Sequence, residues 1–151
     1  MRHPAKWDET WDNYNYFKSL DWMYVQVCHT VSLYNIYYLD EFVDMFGREN
    51  IYLNLLHFPR QYCVRNMPDV CKKQVEDKLI NIPDMNDIIS FMNQEPNFDK
   101  LDLGFLPVTE RLDGLRNECY SEIFPDFYRI LIDGGIGKEP WNPKQYFGQI
   151  S

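Results

Sequence analysis

The chain has 151 residues, of which 45% are hydrophobic and 17% aromatic, and it carries a formal net charge of −8 at pH 7. This length and apolar content predict one folded domain with a hydrophobic core and exclude an intrinsically disordered chain. The negative charge argues against a nucleic-acid-binding surface, because phosphate binding needs clustered lysine and arginine.

No apolar run approaches the roughly 18–20 residues of a membrane span, and the polar first residues lack the hydrophobic region of a signal peptide. We therefore expect no membrane segment and, by default, a cytoplasmic location. The cysteines stand apart as Cys28, Cys63, Cys71 and Cys119, without a CxxC or CxxxCxxC spacing. Since zinc and iron–sulfur sites usually cluster ligands in sequence, we expect reduced thiols and no metal site.

The amino-terminal region predicts a helix. Asp8 suits the N-cap, and the helix is expected to run to about residue 20. It presents a broad aromatic face, which is typical of core packing. That face consists of Trp11, Tyr14, Tyr16, Phe17 and Leu20.

A strand–helix–strand unit follows. We predict a strand at 23–31, a helix at 35–46 that Asn35 caps, and a second strand at 51–58 that Pro59 ends. Two strands joined by one short amphipathic helix indicate a parallel βαβ unit. Because such a unit cannot cover both faces and both edges of its own sheet, we expect it to be part of a larger α/β sheet.

The two faces of the predicted strands differ in polarity. The first strand alternates between an apolar face, which also carries His29, and a polar face. The polar face consists of Gln26, Cys28, Thr30 and Ser32. Asn54 on the second strand points the same way as Thr30. Since strands buried between helices usually read apolar throughout, a polar second face fits the inside of an open barrel or a ligand cleft.

The rest of the chain is predicted to be mainly helical. Helices are expected at 68–79 and 83–92, a loop at 94–108, a helix from Thr109 that Phe124 and Pro125 interrupt, and a short helix to about residue 132. The remaining residues, 133–151, are rich in glycine and proline and are expected to form a flexible tail. The alternative that Trp141, Tyr146 and Phe147 dock on the fold stays open.

Chemistry is expected where the parallel strands end, because ligands of α/β sheets and barrels bind there. After the first strand stand Thr30, Ser32 and Asn35, and the helix that begins there adds backbone N–H donors suited to a polar or anionic ligand. The alternative that Ser32 and Asn35 only cap the helix stays open. The second strand ends with Leu56, His57, Phe58 and Pro59.

His57 is the candidate general acid–base residue, because it lies at a strand end. His29 is expected to be structural, since its strand face is apolar. Nothing in the spacing demands a nucleophile–base pair of Cys28 and His57. No catalytic residue is therefore assigned from the residues alone.

The order of the elements resembles a known family. "KWDETWDNYNYFKSL", "TVSLYN", "IYLNLLHFP", "MPDVCKKQVEDKL" and "RLDGLRNECYSEIFPDFYRIL", with its LDxxR and FP elements, follow one another. Together they resemble the carboxy-terminal half of radical S-adenosylmethionine (SAM) enzymes, of the twitch-domain-containing type common in phage and marine bacterial sequences. The resemblance covers about residues 2–132.

The resemblance implies the carboxy-terminal portion of a partial (β/α)6 TIM-like barrel, with two parallel strands and closing helices. In that family a four-iron–four-sulfur cluster cleaves SAM, and the resulting radical abstracts hydrogen from a substrate. Residues near SAM or substrate would then be Thr30, Ser32 and Asn35 at the end of the fifth strand, Asn54 on the sixth strand, and Leu56, His57 and Pro59 at its end. Arg2 would match an arginine after the fourth strand.

The cluster-binding CxxxCxxC loop of that family is absent from these residues. We therefore expect the chain alone to be inactive and to bind neither SAM nor the cluster stably. Its expected partner is the amino-terminal barrel half or a second copy of itself, and the substrate is unknown. The alternative is a non-catalytic, phage-type interaction or oligomerisation protein on the same scaffold.

Overall fold

The structure is a computed structural model that describes residues 5–98 and 101–137. Its helices and strands are α1 (Trp7–Lys18), β1 (Val27–Val31), α2 (Leu39–Phe46), β2 (Ile51–Leu55), α3 (Asp69–Leu79), α4 (Asn86–Met92), α5 (Leu101–Arg116), α6 (Tyr120–Ile123) and α7 (Pro125–Asp133). Short 3-10 turns lie at Ile36–Tyr38, Arg48–Asn50, Arg60–Tyr62 and Val64–Asn66. The predicted α/β class is confirmed.

The sheet consists of β1 and β2, which pair in parallel with Val27 opposite Ile51 and Val31 opposite Leu55. The ladder continues one residue further, since the backbone N–H of Leu56 donates to the carbonyl of Val31 at 3.1 Å. The predicted βαβ unit is therefore confirmed. Both strands are shorter than predicted, because residues 23–26 and 56–58 lie outside them.

The predicted alternation of the two sheet faces is also confirmed. Val31 and Ile51 are 0% and 3% exposed and join the main hydrophobic core. The opposite face is open to solvent along both strands. It consists of Cys28, Thr30, Tyr52 and Asn54, which are all exposed, with Thr30 paired opposite Asn54.

Helix α1 begins one residue before the predicted cap. Lys6 occupies the N-cap position without a side-chain hydrogen bond, and Asp8 lies inside the first turn. The N-cap role of Asp8 is therefore wrong. Its carboxylate instead lies in the first turn, where a negative charge interacts favourably with the helix dipole.

The aromatic face of α1 packs only in part. The rings of Trp11 and Tyr14 meet Phe46 of α2 at centroid distances of 5.6 and 5.1 Å. Tyr16 and Phe17 stay exposed. Edge-to-face aromatic contacts thus dock α1 on the helix that covers the sheet.

Helix α5 occupies much of the segment predicted to be a loop. Gly104 and Pro107 are poor helix formers and favour a loop on local grounds. The chain is nevertheless helical there, with Phe105 0% exposed and the hydroxyl of Thr109 donating to the carbonyl of Phe105 at 2.8 Å. Burial of this helix face outweighs local propensity. Helix α4 also differs from the prediction, since it begins at Asn86 rather than near residue 83.

The stretch after α7 packs against the core. Ile136 is 2% exposed, and its backbone N–H donates to the carbonyl of Leu131 at 3.0 Å. Gly134 lies against Cys71 of α3. Residues 134–136 therefore pack against the rest of the fold. The rest of the predicted tail, 138–151, lies outside the described residues.

Replacing Gly134 with alanine is expected to lower the free energy of unfolding by about 1–3 kcal/mol, because a core position without room is overpacked. A Cβ there would lie 2.5 Å from the buried sulfur of Cys71. The matched control is Gly114→Ala on α5, where a Cβ would meet nothing within 4 Å. Alanine in a helix should stabilise that position by about 0.5–1 kcal/mol. Urea unfolding of both variants checks the opposite signs; equal effects would contradict this packing.

Candidate functional site

The chain leaves β1 in a closely hydrogen-bonded loop. The amide of Asn35 donates through Nδ2 to the carbonyl of Thr30 and accepts through Oδ1 from the backbone N–H of Ser32, both at 2.9 Å. It makes no capping bond to the following 3-10 turn. The N-cap role predicted for Asn35 is therefore wrong, because its side chain bonds back to the strand end.

The backbone N–H groups after β1 are engaged within the protein. Leu33 donates to the carbonyl of Tyr62 at 2.9 Å, and Tyr34 donates to Oγ of Ser32 at 3.3 Å. Asn35 and Ile36 both donate to the carbonyl of Ser32. The backbone N–H groups that the sequence assigns to an anion are thus already used in hydrogen bonds within the protein.

The predicted site residues lie in different places. Thr30 and Asn54 face solvent on the open side of the sheet, whereas Ser32 and Asn35 line a cavity beside the end of β1. His57 is exposed, and its ring lies 4.8 Å from that of Phe91. Among the described residues, Leu56, His57 and Pro59 do not line the cavity. The structure therefore does not gather the predicted residues into one pocket.

His29 packs on the core side of β1, with its ring 4.1 Å from that of Phe42. Burial lowers its pKa to about 4 from the ordinary 6.5, so the ring is neutral near pH 7. This surrounding supports the structural interpretation of His29.

The burial of His29 predicts acid sensitivity of the fold. Between pH 6.5 and about 4 the unfolded chain binds a proton at this ring that the folded chain does not, so stability should fall as the pH is lowered through that window. Replacement of His29 with glutamine should flatten this part of the profile. Urea unfolding across the window checks it, with the exposed His57→Gln as control. Parallel profiles for wild type and His29→Gln would contradict the assignment.

A cavity of about 690 Å³ lies beside the carboxyl end of β1. The loop after β1, the turn at Arg60–Tyr62, the end of α5 and the α6 region line it, and it is half open to solvent. Its volume is within the range of small-molecule sites. The open sheet face runs along both strands, whereas this cavity lies beyond the end of β1. They are therefore two separate features.

Aromatic rings form much of the cavity wall. The ring of Tyr34 lies 4.9 Å from that of Tyr62 and 5.5 Å from that of Tyr120, and Tyr120 lies 5.4 Å from Phe124. The hydroxyl of Tyr34 is 2.8 Å from Oγ1 of Thr109. Since the Thr109 proton is donated to a backbone carbonyl, Tyr34 is the donor in that bond. Ring contacts and this hydrogen bond hold the wall together.

Tyr120 is the least satisfied residue of the wall. It is 5% exposed, and its hydroxyl has no hydrogen-bond partner among the described residues. Burial raises the pKa of Tyr120 and of Tyr62 well above the ordinary value, so both phenols keep their protons. A buried hydroxyl without a partner costs free energy, and such groups in proteins require an explanation.

Three charged residues add polarity to the cavity. Asp113 accepts through Oδ2 from the backbone N–H of Tyr120 at 2.7 Å, which fixes the start of α6. Arg116 lies one helical turn further along α5, and Glu118 follows that helix. All three line the cavity, so it presents both signs of charge.

Sequence reasoning missed most of this cavity. A local signal existed in the LDxxR element, because residues 113 and 116 stand three apart and share one helix face. The tyrosines gave no signal, since Tyr34, Tyr62 and Tyr120 come from distant segments.

The described residues do not fit an iron–sulfur cluster. No group of three or more histidine, cysteine or acidic side chains is placed to hold a metal ion in the described part of the chain. Cys63 and Cys71 are buried, Cys28 is exposed and Cys119 is partly buried. A cluster needs converging thiolates, and the cysteines of the described residues do not form such a group.

Comparison with protein-family models, with curated proteins and with solved structures found no match. Across residues 5–98 and 101–137, none of the helices is both long and apolar enough to cross a membrane. The family resemblance and the cytoplasmic location remain predictions from the sequence.

Proposed function

We propose that this chain is the carboxy-terminal sector of a (β/α)6-type radical SAM barrel, and that another polypeptide segment supplies the cluster and the remaining strands. The observation that carries the proposal is the two-stranded parallel sheet with one face on the core and one polar face open. A sector of a barrel has this arrangement, because its helices cover the outer face while the inner face meets ligand or the opposite strands.

The order of the sequence elements supports the same assignment. The βαβ unit, α3 and the closing α5–α7 helices follow one another as in the carboxy-terminal half of that family. Strands β1 and β2 would be its fifth and sixth strands. The free edge of β1 would then pair with the fourth strand, and an exposed strand edge readily accepts such a partner.

In the completed barrel this chain would contribute residues that face SAM or substrate, and the other segment would contribute the redox cluster. Thr30 and Asn54 would face the barrel interior beside SAM or substrate, whereas Ser32 and Asn35 would hold the strand-end loop in shape. The cluster would be held by the other segment. The family chemistry, reductive cleavage of SAM and hydrogen abstraction from an unknown substrate, would require the completed barrel.

A second candidate function is a non-catalytic interaction or self-association protein. The observation that favours it is the exposure of large apolar side chains on segments flanking the strands: Trp22 is 77% exposed, Tyr24 76% and Phe58 65%. Exposed apolar surface of this kind often marks an interface. Self-association through this surface would need no cofactor.

The test is association with a polypeptide that comprises the first four β/α units of a twitch-type radical SAM enzyme, including its CxxxCxxC loop. Sedimentation velocity should show a complex of one copy of each. Thr30→Arg and Asn54→Arg on the open face should prevent it. Glu41→Arg, on the exposed side of α2, is the matched control and should leave it intact.

Equal binding by the open-face variants and the control would contradict the barrel assignment. A stable homo-oligomer of the chain that ignores the added half would instead support the interaction protein.

A further inference from the structure

The cavity beside the end of β1 contains features that the barrel proposal does not use. Its wall includes the aromatic rings of Tyr34, Tyr62, Tyr120 and Phe124. Its charged groups have opposite signs. These features are independent of the open sheet face.

We infer that this cavity binds a small zwitterion that carries an aromatic ring, namely an aromatic α-amino acid. The inference does not depend on the radical SAM assignment.

The walls account for the aromatic part of the ligand. The rings of Tyr34, Tyr62 and Phe124 line the cavity, and aromatic rings favour offset-stacked or edge-to-face partners. These rings already contact Tyr120 or one another at centroid distances of 4.9–5.5 Å. The wall is thus formed before a ligand enters, which reduces the entropic cost of binding.

The charges account for the zwitterionic part. Arg116 offers a planar guanidinium, which pairs with a carboxylate through two parallel hydrogen bonds. Asp113 and Glu118 offer carboxylates to an ammonium group. Asp113 already uses Oδ2 for the backbone of Tyr120. No ion pair of these three residues is found within the described structure, so their charges remain for a ligand.

The volume is compatible with this ligand. A cavity of about 690 Å³ holds an aromatic amino acid together with bridging waters, and such waters are common in polar sites.

Isothermal titration calorimetry of the full chain with L-tryptophan tests the inference. Three comparators remove one feature each: tryptamine lacks the carboxylate, indole-3-propionate lacks the ammonium, and L-leucine lacks the ring. L-tryptophan should bind at a single site, and each comparator should bind at least about tenfold more weakly, since each loses a charged or ring contact. Absence of saturable L-tryptophan binding up to millimolar concentration would overturn the inference. Saturable binding of SAM without binding of L-tryptophan would overturn it as well.

Charge variants identify the two polar contacts. Arg116→Gln should abolish the preference for L-tryptophan over tryptamine, and Glu118→Gln should abolish the preference over indole-3-propionate. The matched controls are Arg111→Gln on α5 and Glu122→Gln on α6, which are exposed and do not line the cavity. The controls should keep both preferences. Identical behaviour of Arg116→Gln and Arg111→Gln would overturn the assignment of the carboxylate contact.

Discussion

Replacement of Phe105 with alanine is expected to lower the free energy of unfolding by about 3–5 kcal/mol. Its side chain is 0% exposed, and its ring lies 5.1 Å from that of Tyr34 and 5.7 Å from that of Tyr120. The substitution removes a large buried ring and leaves a void behind the aromatic wall of the cavity. Urea unfolding followed by circular dichroism measures the loss.

Leu115→Ala is the matched control for Phe105→Ala. Leu115 lies on the same helix, α5, but is 75% exposed, so its truncation should change the unfolding free energy by less than about 0.5 kcal/mol. Equal effects of the two substitutions would show that α5 does not bury the face described here.

The second large effect is expected at the end of β1. Val31→Asp should destabilise the fold by more than about 4 kcal/mol, because an unpaired carboxylate would be forced into the core. Val31 is 0% exposed and stands opposite Leu55 in the sheet. The variant is expected to be unfolded or only marginally folded in the absence of denaturant, as circular dichroism would show.

Thr30→Asp provides the contrast one residue earlier. Thr30 lies on the open face, where a carboxylate stays in water, so this variant should fold with a stability within about 1 kcal/mol of the wild type. If Thr30→Asp were as damaging as Val31→Asp, the face would be covered and the proposed barrel interior would not be open.

The sheet was predictable because its signal is local. Val27, His29 and Val31 alternate with Cys28 and Thr30 along β1, and a period of two assigns Val31 and Thr30 to opposite faces without knowledge of the rest of the fold. The parallel pairing followed from the single short helix between the strands. The barrel to which this sheet would belong needs contacts that the described residues do not contain.

Helix α5 was not predictable from local propensity. Gly104 and Pro107 weaken a helix, and the burial of Phe105 that offsets them is a tertiary effect. Asn35 shows a different limit. An asparagine after a strand either caps the next helix or bonds back to the strand, and the local sequence does not distinguish these choices.

The cavity is lined partly by residues close together in sequence and partly by residues from distant segments. The spacing of Asp113 and Arg116 placed them on one helix face, but nothing local showed that this face meets Tyr34 and Tyr62. Those tyrosines are brought there by the loop after β1 and the turn at Arg60–Tyr62. Ligand sites assembled from distant segments are the part of a fold that a single sequence shows least.

The most direct test of the proposed function is the formation of 5′-deoxyadenosine. This chain, the complementing amino-terminal half with its CxxxCxxC loop, and their mixture are each treated anaerobically with iron, sulfide, SAM and a reductant. We predict that only the mixture cleaves SAM well above the background of the amino-terminal half. Cleavage by this chain alone, or no gain in the mixture, would contradict the account.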